Sequence, residues 1–236
     1  MTTSHAVAVH DYRDRMPTEI IVRGSFSARR PPERGTVNAT VSHEGPAMEP
    51  VYRRVVQDLE ALTGSIEPMS DTGRGPVVKW STDQLRTWSD RPWNNEGKQL
   101  PLVYHASVGI AVTFNDFTEL SRWVGTHVVD TAGFQVAHVA WELTDDHHDA
   151  LVREVHTGAV HDAVARAQRY ADALGLGAVR PMAIADAGML GQGQPADAPV
   201  APRAMAMKAG APQIELAPAD IEVTVSVDAR FHAGAA

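Results

Sequence analysis

The side chains best suited to chemistry are histidines and carboxylates crowded between positions 145 and 161. Asp145, Asp146, His147, His148, Asp149, Glu154, His156 and His161 fall within a segment whose pattern predicts a helix. A helical metal pair needs imidazoles three or four residues apart, so that both converge on one ion. His147 and His148 are adjacent, diverging by about 100° on a helix of about 3.6 residues per turn, and His156 and His161 are five apart. The spacing therefore favours an acid-rich helix start, with carboxylates at the positive end of the helix dipole, over a metal centre. Nucleophilic chemistry has no better footing. Ser107, Ser121 and Ser226 lie in strand or helix patterns, no Gly-x-Ser-x-Gly elbow is present, and the chain has no cysteine. Gly188-Met189-Leu190-Gly191-Gln192-Gly193 looks like a phosphate loop but lacks the Gly-Lys-Ser/Thr ending and the helix that would hold the anion. No catalytic, metal-binding or cofactor-binding residue is expected.

Arg86, Trp88, Arg91 and Trp93 form the one aromatic and cationic cluster of exposed character. Trp and Arg are favoured at protein interfaces, so these four are the candidate interaction surface. The alternative is that both indoles fold back over the sheet as a lid. Met189, Met205 and Met207 could form a second, adaptable contact surface, against the reading of their segment as an unstructured insert.

A net charge of -8 argues against a nucleic-acid partner, since a grip on phosphates needs clustered cations. The first residues lack a basic run, and the apolar stretch from Ala6 to Val9 is shorter than the roughly 7–15 residues of a signal-peptide core. No stretch approaches the roughly 20 apolar residues that cross a bilayer. A cytoplasmic location with no membrane span is expected.

Periodicity supplies the elements that must position these residues. Residues 1–17 read as a flexible arm. Ile20, Val22 and Phe26 share one parity, as do Val37, Ala39 and Val41, so two strands are expected, joined as a hairpin through Pro31-Pro32-Glu33-Arg34-Gly35. Tyr52, Val55, Val56, Leu59 and Leu62 define an amphipathic helix that Thr63-Gly64 ends, and Val77, Val78 and Trp80 a further strand. Residues 81–101 read as a long loop. Ala106, Val108, Ile110, Val112 and Phe114 alternate strictly and give the clearest strand. Asn115 or Asp116 caps a helix bearing Phe117, Leu120, Trp123 and Val124, and a strand follows from Phe134 to Leu143. Asp145-Asp146 opens a long helix whose buried stripe is read as Val152, Val155, Ala159, Ala163, Ala167, Tyr170 and Leu174, with Ala171 continuing its row of small residues. Strands near 177–186 and 220–232 flank a second loop at 188–217, and 233–236 is a tail. The class is α+β, mainly antiparallel sheet with packed helices, in the approximate order β-β-α-β-β-α-β-α-β-β.

This order and the residues at its joints resemble the SIMPL-domain family (DUF541). Ile20-Ile21-Val22-Arg23-Gly24 is similar to that family's opening strand, Pro32-Glu33-Arg34-Gly35 to its Pro-Asp-x-Ala turn, and Tyr104-His105-Ala106-Ser107 to its Gly-Tyr-x-Ala strand, with Val103 in place of the glycine. Gly133-Phe134 matches its small-residue lead into a strand. Ala163-x3-Ala167-x3-Ala171-x2-Leu174-Gly175-Leu176-Gly177 resembles its alanine-ladder helix, and Pro218-Ala219-Asp220-Ile221-Glu222-Val223 its terminal strand. The resemblance covers about residues 18–232 and implies a SIMPL-like domain there. It implies a bacterial protein, a link to oxidative or envelope stress, large oligomers in one branch, a kinase partner in an animal branch, and no established catalytic residues. Many bacterial members are exported, and this chain, with no export signal read in its first residues, is expected to depart from them.

The resulting expectation is a non-catalytic, cytoplasmic assembly or interaction protein that self-associates or binds a protein partner, with a connection to stress. Two alternatives stand beside it: a metal-assisted hydrolase using the His147–His161 region, and a small-ligand binder with a pocket beneath Trp88 and Trp93.

Overall fold

Among the described residues, eight strands and three α-helices follow in the order β1 (Thr18–Arg30), β2 (Arg34–Gly45), α1 (Met48–Ile66), β3 (Val77–Thr82), β4 (Arg86–Asp90), β5 (Val103–Phe114), α2 (Phe117–Asp130), β6 (Phe134–Glu142), α3 (Asp145–Ala173), β7 (Arg180–Asp186) and β8 (Ile221–Ala233). The structure, a computed structural model, describes residues 17–70, 74–190 and 218–234. Residues 1–16 of the expected arm, residues 191–217 with Met205 and Met207, and residues 235–236 lie outside the described residues. The class is α+β with antiparallel sheets and three helices, as expected. Part of the segment read as a loop, residues 81–101, is strand β4, which pairs with β5. The chain forms two compact units. One contains the described residues 17–28, 149–190 and 222–234, the other residues 29–70, 74–148 and 218–221.

The larger unit is built on a five-stranded sheet in the order β3-β5-β2-β6, with β4 also paired to β5. Strict alternation in β2 and β5 buries Val37, Ala39, Val41, Ala106, Val108, Ile110 and Val112 on one face. Val51, Val55, Leu62 and Ile66 of α1 and Leu120, Trp123 and Val124 of α2 join the same core. The buried row of α1 is therefore shifted from the expected one: Val51 is buried and Tyr52 is exposed. Nor does Thr63-Gly64 end the helix, which runs on to bury Ile66. At Gly64 nothing lies within 4 Å of a Cβ position, so its position makes no packing demand. On the opposite face of the sheet, Thr36, Asn38, Thr40, Ser42, Ser107 and Ala111 are half-buried, the polar face of an antiparallel sheet.

The smaller unit contains a three-stranded sheet, β1-β8-β7, whose apolar residues cluster with those of α3. The hairpin expected between the first two strands is not formed: β1 pairs with β8, while β2 pairs with β5 and β6. Alternation fixes which face a strand buries and carries no information about its neighbour. Ala159, Ala163, Ala167 and Ala171 are fully buried against Ile20, Val22, Val227, Ala229 and Phe231. Their small size lets the backbones approach closely: a Cβ on Gly24 would lie 2.1 Å from the Ala159 carbonyl oxygen. The expected stripe is corrected at its end, because Tyr170 and Leu174 are exposed and Ala171 holds the row. Gly175, at φ 66°, ends α3, and the Leu176 N–H donates to the Ala171 carbonyl at 2.9 Å.

Candidate interaction surface

Strands β3 and β4 lie end to end along one side of β5, pairing with residues 110–114 and 103–107 respectively. Between them, the Asp83 N–H donates to the Gly109 carbonyl at 2.9 Å. The Asp83 carboxylate fills the space above Gly109, where a Cβ would meet its oxygen at 2.3 Å. Since β2 occupies the other side of β5, β3 and β4 form one outer edge of the sheet among the described residues, and β6 forms the other. All five residues of β4 are exposed.

Pairing parity puts Arg86, Trp88 and Asp90 on one face of that edge, opposite Ser107, His105 and Val103. Trp88, 47% exposed, stacks on His105 with ring centroids 5.0 Å apart and planes within 5°. His105 Nε2 lies 2.6 Å from Asp90 Oδ1, and its Nδ1 lies 3.4 Å from Glu44 Oε2. An imidazole held between two carboxylates fixes the ring plane on which the indole rests. One face of Trp88 is therefore occupied by His105.

After β4 the chain passes Arg91 and Pro92 into a small hairpin closed by the Trp93–Gln99 bridge. Asn94 organises its turn: its N–H donates to the Lys98 carbonyl at 2.9 Å, and its Oδ1 accepts from the N–H groups of Glu96 and Lys98. Trp93 is 65% exposed. Thus Arg86 and Trp88 share a strand face, while Arg91 and Trp93 follow along the chain. The expected cluster did not include His105, Asp90 or Glu44. His105 has the same parity as the polar residues of β5, but its partner became visible only once 86–90 was a strand.

The histidine-rich segment is dispersed by the fold. His147 Nδ1 lies 2.5 Å from Glu33 Oε1, while Glu33 Oε2 accepts from the N–H of Thr144 at 2.9 Å and from its hydroxyl at 2.7 Å. These bonds, those from Thr144 foremost, hold the Glu33 carboxyl down at about 2. Glu33 therefore anchors the start of α3. His156 and His161 are exposed farther along the helix. Among the described residues, no three of His, Asp and Glu gather as a metal-holding group.

Two further polar clusters are structural. In the smaller unit, Arg23 Nε donates to Asp228 Oδ1 at 2.7 Å and the Gly188 N–H donates to Oδ2 at 2.6 Å. Arg23 foremost holds the Asp228 carboxyl below its usual range. In the larger unit, Trp123 Nε1 donates to Ser65 Oγ at 2.9 Å, and His127 Nε2 lies 2.9 Å from the same oxygen. The Ser65 hydroxyl hydrogen goes to the Leu62 carbonyl, 2.6 Å away, so His127 is the donor and Ser65 the acceptor. This serine and histidine are thus a satisfied core pair, with the polarity opposite to that of a nucleophile and its base.

Among the described residues, no helix is long and apolar enough to cross a membrane. The sequence profile of the SIMPL family, described as a protein of unknown function (DUF541), matches residues 20–231. No curated protein matches the chain.

Proposed function

This chain belongs to the SIMPL family, and from that premise we propose that it works without catalysis of its own, as an interaction and assembly protein that presents the β4 edge to its partners. The observation that carries the reading is an entirely exposed edge strand bearing Trp88 at its centre, with the indole pre-oriented by His105. Unpaired backbone groups on an edge can add a strand from another chain. A rigid indole beside them contributes large contact area at low entropic cost. Arg86, Arg91 and Trp93 extend the surface, and self-association is the first use expected of it. The proposal places this work in the cytoplasm, and it keeps the connection to stress that the resemblance to SIMPL-domain proteins implies.

The test is light scattering on the purified chain over a wide concentration range, with intact-complex mass measurement of what a tagged copy retains from native lysate. The reading expects masses above 25.5 kDa, and their loss in a Trp88→Ala/Trp93→Ala variant. A lone 25.5 kDa species throughout, with nothing retained, removes it.

A further inference from the structure

The β4 strand reads Arg86-Thr87-Trp88-Ser89-Asp90, with a cation at one end and a carboxylate at the other, equally distant from Trp88. Placed antiparallel against a second copy about a two-fold axis through Trp88, it sets Arg86 opposite the partner's Asp90 and Thr87 opposite the partner's Ser89. Trp88 then meets the partner's Trp88. Directly opposed residues of an antiparallel pair share a face, with Cα atoms about 4.5–5.5 Å apart. Both salt-bridge pairs and the paired indoles therefore fall on the face that carries His105. A two-fold interface requires that whenever residue i meets j, j also meets i, and this five-residue segment satisfies that condition in charge, polarity and size.

We propose that two copies of this chain join through β4, in the register centred on Trp88, continuing the five-stranded sheet across a two-fold axis. The inference rests on the reading of the protein as self-associating and specifies where the copies meet. Three of the other edges offer less, and the fourth, β1, belongs to the sheet of the smaller unit. The pairings of β3, β6 and β7 each carry a register irregularity, and β7 also contains Pro181; bulges and edge prolines are the devices by which sheets deter further pairing. The pairing of β4 with β5 is regular over all five residues. Pro92, two residues beyond Asp90, limits the ladder to this segment, because proline has no N–H to donate.

Three forms of the full chain test the register. Arg86→Asp sets like charges against each other at both ends of the ladder and is expected to abolish the assembled species seen by light scattering. Arg86→Asp/Asp90→Arg restores opposite charges between copies and is expected to restore the mass. Because the chain has no cysteine, Thr87→Cys protein mixed with Ser89→Cys protein should form a disulfide-linked pair under mild oxidation, while Thr87→Cys protein alone should form none. Circular dichroism verifies that each variant is folded. An assembly that Arg86→Asp leaves intact, or a cysteine mixture that fails to cross-link, overturns the β4 register and leaves self-association standing through another surface. A wild-type chain of single mass at every concentration overturns both.

Discussion

Ser65 joins α1 and α2 through one oxygen: it donates within α1 and accepts from Trp123 and His127 of α2. Ser65→Ala strands two buried donors and is expected to cost about 1–3 kcal/mol, read as a lowered denaturation midpoint. Burial pushes His127 below its ordinary 6.5. The unfolded chain then takes up the proton first as pH falls, so stability is intact above about 6.5 and declines below it. The decline should be absent from His127→Asn. Glu33 acts in a lower window. Its carboxyl lies at about 2 when folded against an ordinary 4.5, so its contribution is complete above 4.5 and is lost as pH falls toward 2. Denaturation midpoints measured from pH 5 to 2 should fall less steeply in Glu33→Gln than in the wild type. Neither role is legible in the sequence. The bond from Glu33 to Thr144 spans 111 positions, and such a separation leaves no local pattern.

At the scale of elements, the alanine row of α3 was legible because it is a repeat of four within one helix, and its burial follows from that period. The reason for the row was not, since it lies on β1: Gly24 has no room for a Cβ between Ala159 and Ala163. Gly24→Ala is expected to destabilise by about 1–3 kcal/mol through overpacking, more than an ordinary glycine-to-alanine change in a strand. Strand β4 shows the opposite case. Arg86-Thr87-Trp88-Ser89-Asp90 has one large apolar residue among polar ones, so neither period is visible, and pairing with β5 makes it a strand. The long strand β5 was clear because its core-facing positions are apolar throughout.

Across the whole molecule, the two units have separate apolar cores, and all five tryptophans, Trp80, Trp88, Trp93, Trp123 and Trp141, lie in the larger one. Tryptophan fluorescence therefore reports the larger unit, while far-ultraviolet circular dichroism reports both. Gly24→Ala should move part of the dichroism transition to lower denaturant and leave the fluorescence midpoint near its wild-type value; coincident shifts would show that the units unfold together. The family match at residues 20–231 runs through both units, so belonging to the family does not depend on either alone. By itself, the sequence determined the class, the helices, the alternating strands and the family, because each is written in periods of two or about four residues and in short joints. Tertiary structure alone decided that β1 pairs with β8 and that Arg86–Asp90 is an edge strand with Trp88 resting on His105. Those facts depend on which distant segments become neighbours, and a residue's own period describes its face but never the chain that will lie beside it.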